Sequence, residues 1–241
     1  MFAQVLTYVL FPAAATVLGG VLAAFRPPGV RLQSVIQHFA AGVVFAAVAG
    51  ELLPELMHEA AAIPTIVGFA LGVGLMLGVK RLTEHGPSEA SATEGGADDT
   101  RGLVVTVAVD VAIDGLLVGV GFAAGTEAGL LVTIALTLEV LFLGLATASA
   151  LAGAGASRGR VIGTTAGLAV LLVVGAAAGG AALGFLTGGL LAGVLAFGVA
   201  ALLYLVTEEL LVEAHETEDT PLATAPYFLG FLALLLLAMA R

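Results

Sequence analysis

Cysteine and tryptophan are absent from this chain, and charge of either sign is scarce. Without cysteine, disulfides and thiolate-held metal sites are excluded. With no tryptophan and only 6% aromatic residues, the aromatic belt that anchors many proteins at a bilayer surface is thin. Charged residues make up 11% of the 241 positions, against roughly 25% in a soluble domain. Basic residues are the rarest: 8 Lys and Arg stand against 18 Asp and Glu, for a formal charge of −10. That balance excludes a basic nucleic-acid-binding surface. What is abundant is apolar and small. Hydrophobic residues reach 60%, with 33 glycines and a mean hydropathy of +1.12. This is the composition of an integral membrane protein, and its small residues let spanning helices approach closely.

A bilayer core takes about 20 apolar residues per helix, and eight such runs can be read: 4–24, 33–57, 61–79, 102–123, 128–152, 161–183, 188–212 and 222–240. The expected fold is therefore all-α, one transmembrane domain over 1–241 with nothing left for a soluble domain. Met1 to Gln4 has no basic stretch, so the first run reads as a span rather than a cleaved signal. The one long connection, Lys80 to Arg101, contains GPSEASATEGGADD and reads as a flexible acidic loop. Arg26, Arg31, Lys80, Arg81, Arg101, Arg158 and Arg160 all fall in loops after the first, third and fifth spans, and only Arg241 disagrees. Basic residues mark the cytoplasmic side. The long loop is thus expected inside a cell (plasma) membrane, with both termini outside. Glu51-Leu52-Leu53-Pro54-Glu55 closes the second span, and Glu209-Leu210-Leu211-Val212-Glu213 closes the seventh in the opposite orientation. This echo suggests inverted repeats, spans 1–3 and 6–8, around a 4–5 hairpin, a design common in transporters.

Three carboxylates fall deep in spans: Asp110 and Asp114 in the fourth and Glu139 in the fifth. The i, i+4 spacing puts both aspartates on one helix face. Asp114 and Glu139 lie roughly a dozen residues to either side of a turn near Gly125–Glu127, so an antiparallel hairpin brings them to one depth. Each buried charge costs roughly 2.5–3.5 kcal/mol on insertion scales, and three left bare cost on the order of 8–10 kcal/mol. No Lys or Arg falls at that depth. The acids must be protonated, face water, or hold a cation; protonated acids bonded to backbone are the bland reading, and a cluster of three argues against it. Glu51 at the outer end of span 2 and Glu208 and Glu209 at the inner end of span 7 would extend a row of acids across the membrane, although each alone also reads as an interfacial acid. His38 reads as a polar residue facing the bundle; His85 and His215 are candidates for collecting metal on the cytoplasmic side, and His58 ends span 2.

These residues resemble the ZIP (Zrt/Irt-like) divalent metal transporters. Ala40-Ala41-Gly42-Val43 through Glu51-Leu52-Leu53-Pro54-Glu55 is similar to that family's second span, AAGVFLATAFLHLLPEA. Asp110-Val111-Ala112-Ile113-Asp114-Gly115 resembles the fourth-span HNxxDG, and Glu139 through Gly144-Leu145-Ala146 the fifth-span HExPEGLA. Leu203-Tyr204 through Glu208-Glu209-Leu210-Leu211-Val212-Glu213-Ala214 resembles the seventh span with EELIPEA. The resemblance runs through all eight spans in order. It implies a two-metal centre, from which this chain departs in a consistent direction. Asp110 and Glu139 stand where the family has histidines, and Glu51 replaces the histidine before LLPE. Val111, Val140, Leu143 and Val170 stand where other ligands are expected and offer no donor. One half of the centre would be lost, and the other kept as an all-oxygen site of Asp110, Asp114 and Glu139.

Carboxylates suit Mg, Ca and Mn better than late transition metals, although zinc accepts them too. The expectation is transport of a divalent cation of the zinc, manganese or iron type, leaning to a harder ion. It would enter by Glu51, bind at Asp110/Asp114/Glu139 and leave by Glu208/Glu209. The resemblance implies passive movement with a 1/4/5/6 bundle sliding against a 2/3/7/8 bundle. The cation would be substrate rather than cofactor, and no cofactor is expected. The cation and the lipid bilayer are the expected partners, with a homodimer one allowed assembly. The alternatives are a proton or monovalent-cation carrier or channel of the same fold, and a metal-binding relative without transport. No enzyme is expected: no ATP-binding motif is present, and an intramembrane aspartyl protease needs two aspartates sharing a proton, whereas these share one helix without a Gly-x-Gly-Asp motif.

Overall fold

A computed structural model of the chain describes residues 1–26, 28–84, 97–215 and 224–240. No strand occurs among the described residues. Among the described residues, seven helices are long and apolar enough to cross a membrane: α1 (Phe2–Phe25), α2 (Arg31–Glu59), α3 (Ala62–Arg81), α4 (Gly102–Ala124), α5 (Thr126–Gly153), α6 (Arg158–Phe185) and α7 (Gly189–Ala214). The eighth apolar run forms a shorter helix, α8 (Ala225–Met239), of 15 residues. At 1.5 Å per residue it spans about 22 Å, against roughly 30 Å of hydrocarbon. Helical backbone carries α3 on to Glu84 and starts the α4 rod at Ala97, so both ends of the segment expected as a loop are helical. The middle of the expected loop, 85–96, with His85, lies outside the described residues, as does Arg241.

The breaks follow local chemistry. Gly125, at φ 113°, takes a backbone shape that a side chain disfavours, and it turns α4 into α5. The expected 4–5 hairpin is thus present, with its turn where the sequence places it. Ser157 caps α6, its hydroxyl accepting from the Arg160 N–H at 3.4 Å. Large apolar side chains such as Ile63, Ile66, Leu71, Val174 and Phe228 lie exposed on the outer surface, as a lipid-facing surface requires and a water-facing one would not tolerate.

The helices pack chiefly in pairs, with α2 also lying along α5. α4 lies along α6 and α1 along α5, with α1 also against α6; α3 lies along α7 and α2 along α8. Glycines set these crossings. A Cβ on Gly115 would come 2.1 Å from the Leu172 carbonyl oxygen, and one on Gly175 2.3 Å from that of Ala112. Gly19 and Leu141, Gly144 and Thr16, Gly42 and Tyr227, Gly230 and Phe39, and Gly68 and Gly193 meet the same way, backbone to backbone. Each of these approaches lies inside α1/α4/α5/α6 or inside α2/α3/α7/α8. Between the groups, Gly198 of α7 faces α4 through side chains, with Val120 Cγ1 3.2 Å from where its Cβ would stand. α5 is the most enclosed of the seven long helices and α3 the least.

Candidate metal centre

Asp110 and Asp114 project from α4 one turn apart, and Glu139 projects from α5. The tight crossing at Gly115 and Gly175 holds α4 against α6, and that at Gly144 and Gly19 holds α5 against α1. Two fixed helices joined by the Gly125 turn then bring the three carboxylates together. One oxygen from each lies within 4.8 Å of the other two. Asp114 is fully enclosed and Glu139 is 3% exposed, while Asp110 is half-buried. Neither oxygen of Asp114 nor Oε2 of Glu139 has an N–H or hydroxyl donor among the described residues, and the Asp114 and Glu139 carboxyls lie within hydrogen-bonding reach of each other. Burying such groups uncompensated costs free energy, so the cluster needs protons or a cation to be stable.

Asp110 and Glu139 form the floor of a cavity of about 270 Å³ that Lys80, Glu208, Glu209 and Glu213 also line. Glu209 approaches Asp110 within hydrogen-bonding reach of its carboxyl. At the rim, Lys80 Nζ donates to Glu208 Oε2 at 3.0 Å, both side chains being more than 40% exposed. An exposed pair of this kind contributes about 0–1 kcal/mol, so it can open at little cost. Five carboxylates and one ammonium line the space, which concentrates cations and repels anions. Lys80 carried only a topological signal in the sequence. Its approach to Glu208 links residues far apart in the chain, and no local pattern announces it.

The expected residues distribute as follows. Asp110, Asp114 and Glu139 converge; Glu209 joins them through Asp110, and Glu208 stands at the rim. Glu51 is half-buried in α2 and does not line the cavity. Val111 and Val140 are enclosed beside the acids, and Leu143 lines the cavity, so these positions seal the centre with hydrocarbon. Val170 is 62% exposed and faces outward, so the donor missing there is not missing from the centre.

The echo between spans 2 and 7 reappears in the backbone. Val48–Leu52 of α2 and Leu205–Leu210 of α7 are each wound as a π-helical turn, and they carry Glu51 and Glu208/Glu209. Such turns are rare and gather at functional sites. In α2, Pro54 follows and lacks the N–H of a regular turn. The corresponding residue of α7 is Val212, so no proline forces the second turn. No family model matches the chain, and no curated protein is significantly similar to it.

Proposed function

We propose that the chain moves a divalent cation across the membrane through a single site of three carboxylates, as a divergent relative of the ZIP transporters. The observation that carries this is the convergence of Asp110, Asp114 and Glu139, two of which, Asp110 and Glu139, line an acid-rich cavity with Asp114 enclosed behind them. A divalent ion compensates the cluster with two charges at one point. Oxygen ligands alone favour Mn²⁺, Mg²⁺ or Ca²⁺ over ions that prefer nitrogen or sulfur.

In this reading the cavity is the inner vestibule. Glu208 and Glu209 draw the ion between the centre and the cytoplasm, and the outer approach by Glu51 is closed. The paired packing of α1 with α5 and α6 with α4, and of α3 with α7 and α8 with α2, together with the two π-helical turns, supports inverted repeats of three spans around the α4–α5 hairpin. The confinement of the glycine-to-backbone approaches to α1/α4/α5/α6 and α2/α3/α7/α8 supports their sliding past one another as bodies. The test is calorimetric titration of the purified chain with Mn²⁺, Zn²⁺, Mg²⁺ and Ca²⁺ beside an Asp110→Ala/Asp114→Ala/Glu139→Ala variant. Saturable binding near one ion per chain, lost in the variant, is expected. Metal binding unchanged in the variant refutes the site; a proton flux without metal binding replaces the reading with a proton carrier.

A further inference from the structure

Of the 8 Lys and Arg residues in the chain, only residue 80 is lysine, and it stands in the lining of the cavity beside the carboxylate centre. Asp110, Glu139, Glu208, Glu209 and Glu213 share that lining with it. Lys80 Nζ donates to Glu208 Oε2 at 3.0 Å. The ammonium also stands near enough to Glu209 for its charge to act there. Among the described residues, it is thus the fixed cation of the cavity, set among the acids that would pass a mobile one.

Tying helices together is not what this pair adds. Lys80 ends α3 and Glu208 belongs to α7, and these two helices already meet backbone to backbone at Gly68 and Gly193 and at Gly72 and Phe197. Both side chains are well exposed at the rim, where an ion pair contributes little to stability. The type of side chain matters as well. A guanidinium would clamp a carboxylate through two parallel bonds. An ammonium is a compact point charge on a flexible stem, able to leave one carboxylate for the next.

Charge decides what can displace it. At equal distance a divalent ion attracts each carboxylate twice as strongly as an ammonium does. A monovalent ion has no such advantage, and the tether holds the ammonium at an effective concentration of about millimolar or higher. We propose that Lys80 is a tethered counter-ion of the cavity, which yields its place to a divalent cation and bars monovalent ones. This role rests on the divalent-cation reading of the carboxylate centre, and it names the residue that sets the centre's selectivity against monovalent ions.

The test is Mn²⁺ titration of the full-length wild type, Lys80→Gln and Lys80→Arg in Na⁺ and, at the same ionic strength, in N-methylglucamine, an organic cation too bulky to sit between carboxylates. In N-methylglucamine, Lys80→Gln should bind Mn²⁺ tighter by about three-fold or more, the order expected when one unit charge facing a divalent ion across a wet cavity is removed. That gain should be lost as Na⁺ replaces the organic cation. The wild type and Lys80→Arg should show neither the gain nor the dependence on Na⁺. Chemical modification of the folded wild type gives the same comparison without a variant. Acetylation neutralises Lys80 and the terminal amine alone, because no other lysine is present; reductive methylation alters the same two groups and keeps their charge. Only acetylation should reproduce the gain. A merely structural role would lower the melting temperature of Lys80→Gln and leave affinity and its response to Na⁺ unchanged, which overturns the proposal. Mn²⁺ binding that weakens when the charge is removed also overturns it. A wild type that binds no Mn²⁺ refutes the carboxylate centre itself, whereas a wild type that binds through its three carboxylates beside an unaltered Lys80→Gln refutes the role of Lys80 alone.

Discussion

Asp114 is the residue on which the site turns. It is enclosed, its two oxygens meet no N–H or hydroxyl donor among the described residues, and it lies one turn from Asp110 and across from Glu139. Asn in its place keeps the shape and removes the charge. Losing a ligand should cost more than the 10–100-fold typical of a residue that only orients one, so Asp114→Asn is expected to weaken Mn²⁺ binding by about 100-fold or more in calorimetry. Stability should move the other way. Replacing buried ionic groups with neutral ones of similar volume is often neutral or stabilising by about 1–4 kcal/mol. Metal-free Asp114→Asn should therefore melt at or above the wild-type temperature, and the rise in melting temperature on adding Mn²⁺ should disappear. A metal-free variant that melts well below wild type would mean that the carboxylate holds the fold together. Protons compete with metal for these oxygens. Apparent affinity should thus fall as pH is lowered, with protons released on binding, a quantity read by titrating in buffers of different ionisation enthalpy. The three acids were legible because charge inside an apolar run has few explanations. Their neighbour Glu209 was read as an exit residue, and its approach to Asp110 depends on how α7 winds.

At the level of the helix, apolar length gave seven spans without ambiguity, because hydrocarbon thickness fixes how long such a run must be. The eighth run, read as 222–240, forms the apolar helix Ala225–Met239, shorter than the other seven. The π-helical turns escaped this reading, since a one-residue change of winding leaves no trace in composition. Glycine content announced close packing, but the partners were set only by the crossings. Gly115 shows what those crossings demand: its Cβ would lie 2.1 Å from a backbone oxygen of α6, an atom that cannot turn aside. Gly115→Val should destabilise the protein by about 1–3 kcal/mol, the usual cost of overpacking, and should weaken metal binding by displacing Asp110 and Asp114 together. Gly163 also lies in a helix, but with open space where its Cβ would stand. Gly163→Ala should be neutral, or more stable by up to about 1 kcal/mol. Thermal melts in one detergent compare the two, and equal effects would remove the packing argument.

As a whole molecule, the described helices pair through glycine approaches as α4 with α6, α1 with α5, α2 with α8 and α3 with α7, and the proposed sliding would divide α1/α4/α5/α6 from α2/α3/α7/α8. The absence of cysteine makes this division testable by paired substitution. Gly198→Cys with Val120→Cys joins α7 to α4 across the division, and Gly121→Cys with Val132→Cys joins α4 to α5 within one set; Val120 and Val132 side-chain atoms come within 3.2 Å and 3.0 Å of the respective glycine Cβ positions. Both pairs are near enough for a disulfide. Oxidation should arrest transport in the first and spare it in the second, with reduction restoring the first. The central claim is met most directly by Mn²⁺ uptake into proteoliposomes, wild type beside Asp110→Asn/Asp114→Asn/Glu139→Gln. The account predicts saturable uptake by the wild type and leakage alone in the variant. Saturable uptake that persists without the three carboxylates would contradict it.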